Sequence, residues 1–168
     1  MLVKGSAGLH AACEMAGGSL HIGGDVGDFA AGILPGSMDG MRGGTLVVKG
    51  NAGARFGDRM RRGSALVFGD AGDFVASRMV AGTIAIGGRA GAHAGYGMRR
   101  GSLIFAGAAP VISPTFVTAI AEADVMWQLL ARDLARHGGA FEALPSRRIE
   151  RRLGDLAVAG KGELILVT

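Results

Sequence analysis

Few residues in this chain could bind a metal or attack a substrate. It has four histidines and one cysteine among 168 residues. Zinc ligands each sit about 2.1 Å from one ion, so they must converge. His10 and His93 fall at equivalent places in two copies of a repeat. Those copies lie four rungs apart, about 19 Å in a regular β-stack, and the two rings cannot share an ion. His21 and His137 have no Cys or His at ligand spacing, and Cys13 and Ser113 have no evident base to activate them. The glycines do not make a phosphate loop. No block fits G-x-G-x-x-G between strand and helix, or G-x-x-x-x-G-K-[ST], and Gly160-Lys161-Gly162-Glu163 is too short for the latter. No catalytic, cofactor-binding or metal-ligating residue is expected.

Charge is patterned more clearly. The net charge is +4, carried mostly by arginine. Arginines recur at one corner of the repeat (Arg42, Arg61-Arg62, Arg99-Arg100) and acids at the opposite one (Asp25, Asp28, Asp70, Asp73), with Asp58 between. The functional reading is an anion-binding stripe. The simpler reading, favoured here, is a solvated charge network or a partner-facing edge. Only 5% of the residues are aromatic, and none interleaves with the arginines as single-stranded nucleic acid requires. Nucleic acid is not an expected partner.

The element that must position these groups is a 19-residue repeat, read from Gly50, Gly69 and Gly88 as GNAGARFGDRMRRGSALVF, GDAGDFVASRMVAGTIAIG and GRAGAHAGYGMRRGSLIFA. Each block has a second glycine (Gly53, Gly72, Gly91), a methionine (Met60, Met79, Met98) and a third glycine (Gly63, Gly82, Gly101). A hydroxyl and an apolar run follow. A copy at Gly5 keeps the register with Gly8, Met15 and Gly18. The copy at Gly24 and Gly27 reaches Met41 and Gly44 seven residues late, because 33–39 forms a loop on one face. Five copies at a fixed short period indicate a solenoid.

In each copy the run after the third glycine reads as a strand. Leu20, Leu46, Ala65, Ile84 and Leu103 form one column; Ile22, Val48, Val67, Ile86 and Phe105 form another two residues on. Period-two spacing puts both on one side, building an aliphatic core. The column between them (His21, Val47, Leu66, Ala85, Ile104) suits a face covered by a partner or by the chain's own tail. Ser19, Thr45, Ser64, Thr83 and Ser102 form a hydroxyl ladder expected to bond rung to rung, and the methionines fill a corner of the coil. Nineteen is not a multiple of six, which argues against a left-handed hexapeptide-repeat acyltransferase. A mainly β, right-handed parallel β-solenoid is expected over 1–107.

Beyond Gly107 the pattern changes. Ser113-Pro114 is expected to cap a helix over about 115–137, with an apolar stripe of Ile120, Ala123, Trp127, Leu130 and Leu134, stopped by Gly138-Gly139. A basic run, 146–152, leads to a strand-like Leu164–Val167. This second part, 108–168, is expected to pack on the solenoid or on partner subunits. Glycine is abundant, 31 residues, but 49% of the chain is hydrophobic, so the glycines mark turns and not disorder. A lone cysteine excludes a disulfide framework, and no leader or apolar run of about 18 residues is present. A cytoplasmic protein without membrane contact is expected.

The repeat, with blocks such as GDAGDFVASRMVAGTIAIGG, resembles the GXGXG domain found in the C-type subunit of formylmethanofuran dehydrogenase and at the C-terminus of large glutamate synthases. Pro114-Thr115-Phe116 and the ending RRLGDLAVAGKGELILVT resemble the C-type branch. That branch has an archaeal tungsten or molybdenum arm and a bacterial formyltransferase/hydrolase arm. The latter serves tetrahydromethanopterin-linked formaldehyde oxidation, and the Ala/Arg/Gly-rich usage leans toward it. The resemblance implies a scaffold role, with the A-, B- and D-type subunits as partners and methanofuran or an analogue as carrier. Cofactors, zinc in the A-type and a metal-pterin in the archaeal B-type, would belong to the partners and none to this chain. Gly24, Gly27, Gly50, Gly53, Gly69, Gly72, Gly88 and Gly91, with Met41, Met60, Met79 and Met98, are then structural repeat residues. Family members usually carry more sequence before the first repeat. Met1-Leu2-Val3-Lys4 reads as the end of a preceding strand, so an open edge that self-associates without partners is expected. The alternatives are the archaeal arm, a free-standing glutamate-synthase-type domain and an anion-binding module.

Overall fold

The computed structural model describes residues 1–119 and 124–168. Ahead of the first repeat lies β1, Leu2–Val3. Each of the five repeats then contributes one short strand where hydroxyl and branched aliphatic residues follow the third glycine: β2 Ser19–Ile22, β3 Thr45–Val48, β4 Ser64–Val67, β5 Thr83–Ile86 and β6 Ser102–Phe105. Neighbours pair in parallel, in the register the columns require: Leu20↔Leu46, Leu46↔Ala65, Ala65↔Ile84 and Ile84↔Leu103. A second parallel ladder of single bridges links Ala7, Val26, Ala52, Ala71 and Ala90. Successive repeats are thus hydrogen-bonded on two sides. Leu2 and Val3 pair with β2, Leu2 opposite His21 and Val3 opposite Ile22.

After β6 come β7 (Val117–Thr118), helix α1 (Asp124–Ala135), β8 (Ile149–Gly154) and β9 (Gly162–Val167). Among the described residues the strands form one sheet of nine in the order β1-β2-β3-β4-β5-β6-β9-β8-β7, antiparallel only where β8 meets β9 and β7. The strand-like ending therefore lies within the sheet. β9 pairs in parallel with β6, Leu103 opposite Leu164 and Phe105 opposite Leu166, and takes the place of a sixth rung.

Two clusters hold the chain together. The two predicted columns merge with Phe56, Val75 and the methionines into one core, which β9 extends through Leu164 and Leu166. The column between them is covered by the chain's own tail: Val47, Leu66, Ala85 and Ile104 pack against Trp127, Ala131, Leu134, Phe141 and Leu144.

Met41, Met60, Met79 and Met98 are fully buried. The terminal methyl of Met79 lies over Gly101 in the next repeat, where φ is +95° and an added Cβ would come within 2.9 Å of that methyl. Methionine and third glycine thus recur together because one fills the space the other leaves open.

Two expectations need correction. The helix does not begin at 115. Ser113 and Thr115 form a hydroxyl-bonded turn, and Phe116 is buried against the sites of Gly95 and Gly154, closing the core. Val117–Thr118 then pairs with β8, so tertiary burial of one aromatic side chain overrides the local cap signal. Ile120 and Ala123 of the expected stripe lie outside the described residues. Within α1, Trp127 and Leu134 face the sheet as expected. The hydroxyl ladder keeps its register, but no hydroxyl-to-hydroxyl bond links its rungs among the described residues. Ser19 bonds His21 at 2.8 Å, and Ser102 donates to Glu163 at 2.6 Å. Much of the basic run, 146–152, is β8, where Arg151 pairs with Glu163 at 2.7 Å.

Candidate functional site

Each buried methionine is followed by a corner that turns the next two side chains outward. The corner is fixed by the rung below: the backbone N–H groups of Arg42, Arg61, Val80 and Arg99 donate to the carbonyls of Met15, Met41, Met60 and Met79 at 2.8–2.9 Å. The result is a groove of about 560 Å3 lined by Asp39, Arg42, Arg61, Arg62, Val80, Ala81, Arg99 and Arg100. It shares Asp39, Arg61, Val80 and Arg99 with a hollow of about 750 Å3 that adds Arg59, Arg78, Tyr96 and Val158.

Some of these cations are already answered. Glu14 accepts from Arg42 at 3.0 Å, and both Asp39 oxygens accept from Arg61 at 3.0 and 3.1 Å. Asp39 comes from the inserted loop, which also rests Met38 Sδ 3.6 Å from the Arg59 guanidinium. Asp58 is fully buried; it accepts from Ser77 Oγ at 2.5 Å and from Arg78 at 2.7 and 3.1 Å. Arg62, Arg99 and Arg100 are exposed and make no ion pair among the described residues. In chemical terms the corner can hold carboxylates or phosphates by charge-assisted hydrogen bonds.

The acids at the opposite corner are not a loose charge network. Asp25 Oδ1 accepts the backbone N–H of Asn51 at 2.6 Å, Asn51 Oδ1 that of Asp70 at 2.8 Å, and Asp70 Oδ1 that of Arg89 at 2.7 Å. Asp28 and Asp73 do the same for Ala54 and Ala92, each at 2.8 Å. Each acid satisfies a turn N–H one rung further on, which an exposed corner would otherwise leave to water. The close approach excludes a side chain: a Cβ on Gly50 would lie 2.2 Å from Asp25 Oδ1.

A third column was legible only for its two histidines. His10, Phe29, Arg55, Phe74 and His93 occupy one repeat position, all with φ between 56° and 60°. His10 stacks on Phe29 at 5.3 Å, Arg55 lies 4.7 Å from the Phe74 ring centre, and Phe74 stacks on His93 at 4.8 Å. The two histidines are the ends of a π-stacked ladder. Reading the position down all five repeats was the signal that could have found it.

No protein-family model and no curated protein matches the chain. Among solved structures it is similar to a chain in the crystal structure of the formyltransferase/hydrolase complex (FhcABCD) from Methylorubrum extorquens in complex with methylofuran. The TM-score is 0.91 and the identity 47% over 99% of this chain. The chain spans 62% of that relative's length.

In this chain the isolated titratable groups are held structurally. Cys13 donates to the Phe29 carbonyl at 3.1 Å, and burial pushes its thiol from 9.0 up to about 11. The folded chain then keeps the thiol protonated where the unfolded chain loses the proton. Cys13 therefore contributes nothing to the pH dependence of stability below pH 9 and lowers stability between about pH 9 and 11. Iodoacetamide at pH 8 is expected to label native Cys13 at least about tenfold more slowly than the urea-unfolded chain, because the thiolate is the nucleophile. Equal rates would show a free thiol. His137 is lowered by burial, with Asp133 opposing and His21 and Lys49 adding to the shift. Burial raises Asp155, but hydrogen bonds from the Thr115 side chain and the Gly97 and Ala157 N–H groups outweigh it and hold the carboxyl below its ordinary value. No group of three or more His, Cys, Asp or Glu able to hold an ion occurs among the described residues, and no described helix is long and apolar enough to cross a membrane.

Proposed function

We propose that the chain is the C-type subunit, a noncatalytic scaffold, of a formyltransferase/hydrolase complex. In this reading partner subunits convert a formyl group on tetrahydromethanopterin to formate, with a methanofuran analogue as carrier. The stacked repeats form a right-handed β-solenoid, 1–107, on which 108–168 folds back. Zinc belongs to a partner subunit and none of the cofactors to this chain, and the complex works in the cytoplasm. The observation that carries the reading is the 47% identity and TM-score of 0.91 to a chain of such a complex, maintained over 99% of this sequence. The likeness to a bacterial complex favours this arm over an archaeal dehydrogenase or a glutamate-synthase-type domain. The structural use of the acids, the buried methionines and the π-stacked histidines supports a role without chemistry.

The test is purification of the tagged chain from its native host, with identification of the stoichiometric subunits and assay of formyl transfer and hydrolysis. Single replacement of His10, His21, His93 or Cys13 by alanine is expected to keep kcat of the assembled complex within about threefold, under ~0.7 kcal/mol on the barrier scale. A hundredfold loss in an intact complex would overturn the scaffold role. Truncating the tail cannot serve as an assembly test, because β9 belongs to the core.

A further inference from the structure

We propose that the arginine corner of repeats three to five is the docking site for an acidic helix of a partner subunit. This rests on the scaffold reading above and gives it a surface and a chemistry. Repeats three and five carry arginine pairs at the corner, Arg61-Arg62 and Arg99-Arg100, whereas repeat four carries Val80-Ala81. Stacking sets the pairs two rungs apart, about 9.6 Å. Between them the short apolar side chains leave a notch in the floor of the groove.

Lower in the stack, carboxylates of this chain already meet this edge. Glu14 holds Arg42, and Asp39 holds Arg61, both at 3.0 Å. The supply of acids then stops. The residue before the methionine is Glu14 in repeat one but Arg59, Arg78 and Gly97 in repeats three, four and five. Arg78 is engaged by buried Asp58. Arg62, Arg99 and Arg100 are left exposed on one groove with no acid of their own among the described residues. Their mutual repulsion is relieved by carboxylates from outside, most strongly at low salt.

The spacing selects the shape of the partner. A compact anion can touch one arginine pair but cannot bridge two that are about 10 Å apart. On a helix, acids at i and i+7 are about 10.5 Å apart, with i+3 or i+4 between them on the same face. Two acids there meet the two pairs while an apolar side chain enters the notch. An extended strand repeats a face every ~6.8 Å and misses this spacing.

The probe is a labelled, alanine-rich helical peptide with Glu at i and i+7 and Leu at i+4, titrated by anisotropy against the full chain at 50 and 200 mM salt. Arg99→Glu/Arg100→Glu is expected to weaken binding at least tenfold, and a peptide with Lys in place of the one Glu that meets this pair, its other Glu kept for Arg61-Arg62, should recover it. Val80→Arg, which fills the notch, should weaken the Leu-bearing peptide at least threefold. Circular dichroism of each variant checks that the fold is kept. The proposal is overturned if charge reversal leaves affinity unchanged, or if a peptide of the same composition with Glu at i and i+2 binds equally. It is also overturned if 5 mM inorganic phosphate displaces the peptide completely, which would mark a small-anion site. In the native host, Arg99→Glu/Arg100→Glu should lower recovery of complex while Arg89→Glu, on the acidic corner, should not. Equal recovery of both would sink the docking site and leave the scaffold reading intact. A wild-type chain that recovers no subunits would sink the scaffold reading itself.

Discussion

Replacing Met79 with aspartate is expected to abolish the cooperative thermal transition of the chain, while Met79→Leu keeps it. Met79 is fully buried, and its terminal methyl fills the space over Gly101 in the next rung. A carboxylate at that depth loses its hydration without gaining a built-in partner. The effective penalty is roughly several kcal/mol per ion, unless the group is forced to stay protonated. Native domains are stable by only about 5–15 kcal/mol, so one such group removes much of the margin. The neighbours share the damage, because the same column runs through Met60 and Met98. Leucine is close in volume and has no polar atom, and such exchanges usually cost less than about 1.5 kcal/mol. Scanning calorimetry decides the matter. A Met79→Asp transition within about 5 °C of the parent would mean that the methionine column does not seal the core.

Trp127→Ala should release the C-terminal helix from the sheet. Trp127 is 3% exposed and sits with Ala131 and Leu134 over Val47, Leu66, Ala85 and Ile104. Its indole N–H reaches the Arg147 carbonyl at 3.4 Å, a long contact that adds little. The effect is therefore mainly lost burial. Truncating a buried Trp to Ala typically costs about 3–5 kcal/mol, and the cavity remains because the β-sheet beneath cannot collapse into it. The urea midpoint followed by circular dichroism should fall accordingly, and limited proteolysis should cut within Asp124–Ala135 before the repeats. A stability loss under about 1 kcal/mol, with the helix still protected, would show that the outer column is covered by other means.

The repeating part of this protein was determined by its sequence. A 19-residue period brings every side chain against its own counterpart, so a column of letters is also a list of contacts. The pairing Leu46↔Ala65↔Ile84↔Leu103 and the burial of Met41 through Met98 follow from that one fact. The same logic covers the column of His10 and Phe29, of which only the histidines were read in the sequence. Where partners do not repeat, the tertiary structure decided. Ser113 and Pro114 carry the local marks of a helix start, yet Phe116 gains more by closing the end of the core than by joining a helix turn. The acids at the corner look like solvent-facing charge until the next rung places a backbone N–H 2.6–2.8 Å away. Ser102 to Glu163 and Gly97 to Asp155 join residues 61 and 58 apart, and Lys49 reaches His137 across 88. No period encodes those separations. They are set by which apolar faces the tail must cover, a choice made by the whole core at once and not by any stretch of chain.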